Sequence, residues 1–317
     1  LEGLVNSEIF LIFFKSLNIS DLNFASKNNF SFKLSSKLKF SDINIESKIN
    51  LKKLNYKLKS SKLKKYLPNY NDSFELNDHK IQLVFNNNQL TFKGKGKLLI
   101  DKSSDEIDYN IKFKDGDYDF ISNVHFKNNP IIIKFLNYEK DEEKNSFLNI
   151  NGSYKKNGTL LFNNITYKES ENEFFIKDLN FNKNFKIKYI NNLDLNFINK
   201  NKLENKISLK KNKKNYKISG KAFDATYLIN QLLNGKKNDD TTFFSNNFSS
   251  NIKIEIDKTY LDNFTYLNNV YGDLVYEKNK VVELNLVSKF PSNKKITLTI
   301  KTNENTKEKV TTLFSGY

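Results

Sequence analysis

The chain has 317 residues, a formal net charge of +16, 28 Phe, 16 Tyr and no Cys. Because 38% of the residues are hydrophobic, the chain can bury a substantial core, which excludes a disordered protein. The lack of cysteine excludes disulfides, thiol catalysis and thiolate metal sites. Methionine is also absent, so we expect an internal or C-terminal fragment of a longer protein, with any signal peptide or anchor upstream of Leu1.

The positive charge comes from lysine alone, since all 52 Lys+Arg residues are lysines. Proteins that recognise phosphates and bases favour arginine, whose planar guanidinium donates two parallel hydrogen bonds. We therefore interpret the surplus of lysine as compositional bias together with solvated polar faces. No nucleic-acid partner is expected.

The most apolar run near the start is Ile9–Phe14. A membrane-spanning helix needs about 20 apolar residues, so a run of this length predicts a buried strand or a piece of helix.

From residue 30 onward, apolar and polar residues alternate with a period of two. Side chains of a strand point alternately to opposite faces, and fully buried parallel strands would be continuously apolar instead. Short groups of Asn, Asp, Gly and Lys separate the alternating runs and predict hairpin turns, at Asn86–Asn88, Asp115–Asp117 and Lys278–Lys280 among others. The sequence predicts a mostly β fold, a long antiparallel, twisted or curled sheet that is groove-like or sandwich-like, with one or a few short helices.

The alternation is interrupted twice, at residues 59–72 and again at 235–250. These interruptions predict three segments: an N-terminal β segment over 1–65, a central antiparallel segment over 66–235 that ends in a short helix, and a C-terminal β segment over 236–317.

A short helix is predicted just after residue 224, where the period changes from two to about 3.6. Asp224 is placed to cap its first turn, and Gly235 to end it. A helix this short is stable only when it packs on other elements. We expect its apolar side to cover the apolar face of the sheet; the residues of this side are Ala225, Leu228, Ile229 and Leu232.

Sequence signals for catalysis and metal binding are weak throughout. His79 and His125 lack the neighbouring ligands of a metal site, and Gly94–Lys97 lacks the rest of a phosphate-binding loop. Asp115–Asp119 lacks the spacing and the distal Glu of a calcium loop. The sequence therefore predicts no enzyme, no catalytic residue, no metal and no cofactor.

The apolar face of the predicted sheet has to close on itself, take a second layer or hold a ligand. Each acyl methylene removed from water contributes about 0.8 kcal/mol, so such a face holds lipid chains without any catalytic group. The candidates for the wall of a lipid groove are Phe30, Phe32, Leu34, Ile43, Ile45, Leu90, Phe92, Ile111, Phe113, Ile187, Leu195, Phe197, Ile252, Ile254, Ile256, Leu284, Leu286 and Leu298.

The C-terminal part of the chain resembles a protein family. Ser219–Leu233, SGKAFDATYLINQLL, is similar to the Gly-Lys-x-Phe/Leu-Asp-x-x-x-Leu-Leu junction of AsmA-like bacterial envelope proteins of the YhdP and TamB type. Leu267–Leu274 resembles a turn of the same family, and Thr311–Tyr317 resembles a shortened form of its ending. The resemblance is clearest over residues 180–317.

This resemblance implies a periplasmic protein, anchored in the inner membrane, that forms an apolar β-groove. In that case its partners are phospholipid acyl chains, which it binds or conducts between the inner and outer membranes, and it has no catalytic residues. Two alternatives stay open at this point. One is a structural or adhesive β-sandwich module, and the other, less favoured, is a basic nucleic-acid-binding protein.

Overall fold

The computed structural model describes residues 19–86, 88–233, 245, 248–278, 280–303 and 308–316. The run Ile9–Phe14, Gly235 and most of the polar loop after it lie outside the described residues. Among the helices of the described part, none has the length and apolar character to cross a bilayer.

The chain divides into two compact units. Unit 1 comprises Leu1–Ile132 and Lys140–Lys156, and unit 2 comprises Ile133–Glu139 and Asn157–Tyr317. The three segments expected from the sequence stay a prediction.

Unit 1 is built on an antiparallel ladder of seven strands that pair in the following order: β1 (Ile19–Leu34), β2 (Phe40–Lys57), β3 (Ser73–Asn86), β4 (Gln89–Ile100), β5 (Ser103–Lys114), β6 (Asp117–Phe126) and β9 (Ser146–Tyr154). A hairpin turn forms at Asp115–Asp117, where the sequence predicts one. β5 ends at Lys114 and β6 begins at Asp117, and Asp115 and Gly116 between them have positive φ angles of 53° and 92°. Unit 1 also contains α1 (Ser61–Tyr66). The segment after β6 forms β7 (Ile131–Ile133), a 3₁₀ turn (Lys134–Leu136) and β8 (Tyr138–Lys140), and β7 and β8 pair as a separate two-stranded sheet; residues Ile133–Glu139 of this segment belong to unit 2.

The first interruption of the alternation, at residues 59–72, contains α1. Its N-terminus is capped by Ser60, whose hydroxyl accepts a hydrogen bond from the Leu63 backbone N–H at 3.2 Å. β2 and β3, on either side of this interruption, pair with each other, so α1 is an excursion from a continuous ladder.

Unit 2 contains a ladder of ten strands that pair in chain order. All of these pairs are antiparallel except one, in which β14 (Asn215–Asp224) and β15 (Ser249–Tyr260) are parallel. The elements are β10 (Leu160–Glu169), β11 (Asn172–Phe181), β12 (Ile187–Ile198), β13 (Glu204–Asn212), β14 (Asn215–Asp224), α2 (Thr226–Leu233), β15 (Ser249–Tyr260), β16 (Tyr266–Glu277), β17 (Lys280–Lys289), β18 (Lys295–Thr302) and β19 (Lys309–Ser315).

The parallel pair explains why this strand-rich chain has a helix after residue 224. Two antiparallel strands are joined by a tight turn, whereas a parallel neighbour requires a crossover that returns the chain to the same end of the sheet. α2 lies in the connection between β14 and β15 and supplies part of that crossover.

The predicted fold class is confirmed. The described chain is mostly strand, its ladders are long and mostly antiparallel, and its α-helices are the two short ones.

Candidate functional site

The candidate site is the apolar face of the unit 1 ladder. The strand register places apolar residues of successive strands directly opposite one another, so that they form rows across the sheet. One row consists of Phe30, Ile45, Phe85, Leu90, Phe113 and Tyr118, and the next contains Leu83, Phe92, Ile111 and Phe120. Six of the predicted groove residues therefore share this face; they are Phe30, Ile45, Leu90, Phe92, Ile111 and Phe113.

An open trough lies on this face near β1, β2, β3 and β4. It has a volume of about 590 Å³. Its apolar wall includes Phe24, Ile45, Ile49, Leu83, Phe85 and Leu90. A single-layer sheet offers such a trough when nothing is packed on its apolar side.

One end of the apolar face is closed by the segment that interrupts the ladder. Tyr70 and Ile100 are 1% and 0% exposed and pack with Val124 and Phe126. The Tyr70 hydroxyl donates to the Leu58 carbonyl, which fixes the segment over the sheet. Leu63 of α1 packs against the same cluster, so α1 and Tyr70 seal this end.

The other end of the same face is exposed. Phe30 is 67% exposed and Phe40 is 62% exposed, and the rings of Phe32 and Phe40 pack edge to face with centroids 5.0 Å apart. The predicted groove residues Phe32, Leu34 and Ile43 are also exposed here. The apolar face thus runs from a sealed end to an open end.

Between the two ends lies a buried polar pair, His79 and Tyr109. The His79 side chain is 1% exposed; its Nε2 donates to the Lys97 carbonyl at 3.0 Å, and its Nδ1 accepts from the Tyr109 hydroxyl at 3.3 Å. Burial lowers the pKa of the His79 imidazole below its ordinary value, because the charged form loses its hydration. A neutral His79 is therefore part of the floor of this face.

The Gly94–Lys97 stretch has a packing role in this floor. Gly94 lies beneath the Tyr109 ring and Gly96 beneath the His79 ring, so closely that a Cβ on either glycine would be 2.3 Å from the ring above it. The two glycines provide space for the two rings.

The opposite face of the unit 1 ladder contains a lysine-rich patch. Lys48, Lys80, Lys93 and Lys95 lie there with Asn110, as the alternation predicts. Lysines on a solvated sheet face keep the protein soluble and oppose aggregation.

In unit 2, an apolar row crosses all ten strands. It consists of Ile165, Ile176, Leu193, Leu209, Ile218, Ile254, Gly272, Leu286, Leu298 and Leu313, and thus contains three of the predicted groove residues. Ile252 and Leu284 are connected through Leu274 in a neighbouring row, and Leu195 and Ile256 belong to a third. Ile187 begins β12 and is half-buried.

Four of the predicted groove residues in unit 2 are buried in the described structure; they are Leu195, Phe197, Ile256 and Leu284, with exposures of 2–8%. Phe197 is the clearest case. Its ring packs against Tyr138 and Phe174, at centroid distances of 5.8 and 5.1 Å. Tyr138 also donates to the buried carboxylate of Glu169, and its burial raises its pKa far above the ordinary value. This aromatic cluster is core, and the role of the half-buried unit 2 candidates as groove wall stays a prediction.

The predicted helix forms as α2, and its start follows the expected capping. Asp224 accepts a hydrogen bond from the Thr226 backbone N–H at 3.0 Å. Of the predicted covering residues, Ala225 and Ile229 are half-buried and Leu228 is 48% exposed, whereas the side chain of Leu232 lies outside the described residues. The covering role expected of this helix therefore rests on Ala225 and Ile229.

Sequence reasoning missed three polar residues that line the unit 1 trough: Ser26, Asn28 and Ser47. A signal was available, since Ser26 and Asn28 have the same parity along β1 as Phe24 and Phe30. Ser26 and Asn28 are polar residues at positions of β1 whose other residues on this face are apolar. Reading only the apolar residues of the alternation therefore leaves them out.

Within the described part of the chain, no group of three or more His, Cys, Asp or Glu is placed to hold a metal ion. No family model, curated protein or solved structure matches the chain. The AsmA-like resemblance therefore rests on the residues quoted for it.

Proposed function

We propose that unit 1 binds lipid acyl chains on its apolar face. In this proposal the protein is an AsmA-like envelope protein without enzymatic activity. It acts in the periplasm, is attached to the inner membrane through an N-terminal anchor, and conducts phospholipid toward the outer membrane.

The observation that supports the proposal is the accessible apolar trough on a face that is sealed at one end and open at the other. An acyl chain laid along this trough gains about 0.8 kcal/mol for each methylene that it removes from water. A lipid-binding function of this kind requires no catalytic group, and it uses the one-sided alternation that dominates the sequence.

The lysine-rich opposite face is compatible with the same function. A sheet that presents apolar residues on one side needs a strongly polar side to stay in solution. The lysines of that solvated side contribute to the net charge of +16 of the chain, and they require no nucleic-acid partner.

The direct test is to purify the protein from a bacterial host and to measure bound lipid by native mass spectrometry and solvent extraction. We expect copurified phospholipid, and displacement of a fluorescent fatty-acid probe when phospholipid is added. A protein that carries no lipid and does not bind the probe would contradict the proposal and favour the sandwich alternative.

Two neighbouring residues of β3 provide a matched pair of variants. Leu83 lines the trough, whereas Val84 is the next residue on the same strand and points to the opposite face; both are half-buried. Leu83→Asp places a charge against the acyl chain, so we expect probe binding to be lost. Val84→Asp introduces the same charge outside the trough and should retain binding. Far-UV circular dichroism checks that both variants keep their strands.

A further inference from the structure

The apolar trough of unit 1 contains a small polar cluster on the β1–β2 side. Ser26, Asn28 and Ser47 line it together with Phe24 and Ile49. Asn28 lies directly opposite Ser47, and Ser26 directly opposite Ile49, in the β1–β2 register. The three polar side chains therefore lie together against an otherwise apolar wall.

The hydrogen-bonding capacity of this cluster is only partly used. The Asn28 amide Nδ2 donates to the Ser26 hydroxyl at 3.1 Å. Ser47 is 6% exposed, Asn28 is half-buried and Ser26 is exposed. One amide and two hydroxyls offer more donors and acceptors than this single hydrogen bond uses, so the uncharged oxygens of a ligand find partners here.

The chemistry of the lining limits the class of ligand group that fits. None of the side chains that line the trough carries a charge. An ionised phosphate in contact with this cluster would lose hydration without gaining an opposite charge, whereas ester oxygens and hydroxyls are matched by neutral donors and acceptors.

We propose that Ser26, Asn28 and Ser47 bind the uncharged glycerol-ester region of a phospholipid whose acyl chain lies in the trough of unit 1. The charged phosphate stays at the open side of the trough, in contact with water. The ester carbonyl accepts from Ser47, and the glycerol hydroxyl or second ester pairs with Asn28 and Ser26. This assignment rests on the proposed acyl-chain function and adds the part of the lipid that determines selectivity.

The test compares two amphiphiles with the same chain and the same phosphocholine group. Lysophosphatidylcholine has a glycerol hydroxyl and an ester, and alkylphosphocholine has neither. Each amphiphile is titrated below its critical micelle concentration. Displacement of a bound fluorescent fatty-acid probe, or calorimetry, then gives the two dissociation constants. We expect lysophosphatidylcholine to bind about tenfold more tightly, as one or two net hydrogen bonds provide.

Two variants test whether the difference in affinity between the two amphiphiles originates at Ser26, Asn28 and Ser47. In the Ser47→Ala, Asn28→Leu double variant, we expect the two amphiphiles to bind equally, with the affinity for alkylphosphocholine kept or increased. Ser31→Ala is the matched control, because Ser31 is exposed on β1 and does not line the trough, and it should keep the tenfold preference.

The outcomes separate this inference from the proposed function. If neither amphiphile binds, the acyl-chain function itself is wrong. If both bind the unmodified protein equally well, the trough holds chains and the polar cluster has no role in recognition. A benzophenone introduced at Leu83 provides a further check, since cross-linking to the chain's own Ile9–Phe14 instead of to lipid would identify that segment as the occupant and overturn the inference.

Discussion

His79 and Gly96 face each other on adjacent strands of unit 1, and the imidazole occupies the space that any side chain at Gly96 would need. A Cβ atom on Gly96 would lie 2.3 Å from Cδ2 of His79 and 2.8 Å from its Cα. The second distance involves backbone, so rotation of the ring alone cannot relieve the contact.

The first prediction follows from this contact: Gly96→Ala destabilises the protein. Overpacking of this kind costs about 1–3 kcal/mol, and here part of the clash is with backbone. Urea unfolding followed by circular dichroism gives the change in the free energy of unfolding. Gly316→Ala is the control, because the nearest atom to its added methyl group is 3.8 Å away, and it should be close to neutral. Equal stabilities of the two variants would contradict this packing.

The second prediction concerns Gly94, whose added Cβ would meet the ring of Tyr109 at 2.3 Å. Gly94→Ala should destabilise the protein, and Tyr109→Leu should make the same substitution less costly, because the shorter side chain clears the methyl group. In a double-mutant cycle we expect a coupling free energy of about 0.5–3 kcal/mol. A coupling of zero would show that the ring of Tyr109 does not lie over Gly94 in solution.

The third prediction is a pH dependence that originates at His79. In the unfolded chain this histidine titrates near pH 6.5, whereas burial lowers its pKa in the folded protein. Between the two pKa values the unfolded chain binds more protons, so the free energy of unfolding decreases as the pH falls below about 6.5. The slope due to one group is at most about 1.4 kcal/mol per pH unit.

Urea unfolding at pH 7.5 and pH 5.5 measures this loss of stability. We expect His79→Gln to reduce the difference between the two pH values. His125→Gln leaves His79 in place and should keep the difference, since His125 stacks on Phe147 away from this floor, at a centroid distance of 4.4 Å. If His79→Gln and the unmodified protein lose the same amount of stability, another group is responsible.

The sequence predicts the local features of this fold well. Alternation identifies which residues share a face, since side chains of a strand point to opposite sides with a strict period of two. In the register of the ladder, Phe30 lies opposite Ile45, and Ile45 is connected to Leu90 through Phe85 of β3. Turn residues such as Asp115 and Gly116 mark a strand boundary because they adopt positive φ at low cost.

The sequence does not predict what covers each face, because this depends on contacts between distant parts of the chain. Phe197 alternates just as Ile254 does, yet the Tyr138 ring, from another part of unit 2, packs on it and makes it core. Tyr70 seals one end of the unit 1 face for the same kind of reason. The parallel pairing of β14 with β15 also has no local signal except the helix between them.

The last prediction concerns Asp224, which stabilises the start of the crossover helix α2. Its carboxylate is 3% exposed; Oδ1 accepts from the Thr226 N–H at 3.0 Å, and Oδ2 accepts from the Asn199 side-chain amide at 2.6 Å. Asp224→Ala removes the cap and leaves the amide of Asn199 buried without this acceptor. We expect a loss of about 2 kcal/mol in the free energy of unfolding, as capping and buried hydrogen-bond data indicate.

Hydrogen exchange distinguishes a local effect from a general one. Asp224→Ala should increase exchange at the Thr226 amide and along α2 before it affects β12 or β16. Asp257→Ala is the matched control, because Asp257 is exposed on the neighbouring strand β15. We expect this substitution to change the free energy of unfolding by less than about 0.5 kcal/mol. If both variants unfold at the same urea concentration as the unmodified protein, the buried carboxylate does not hold the helix, and the crossover from β14 to β15 must be stabilised by its apolar contacts alone.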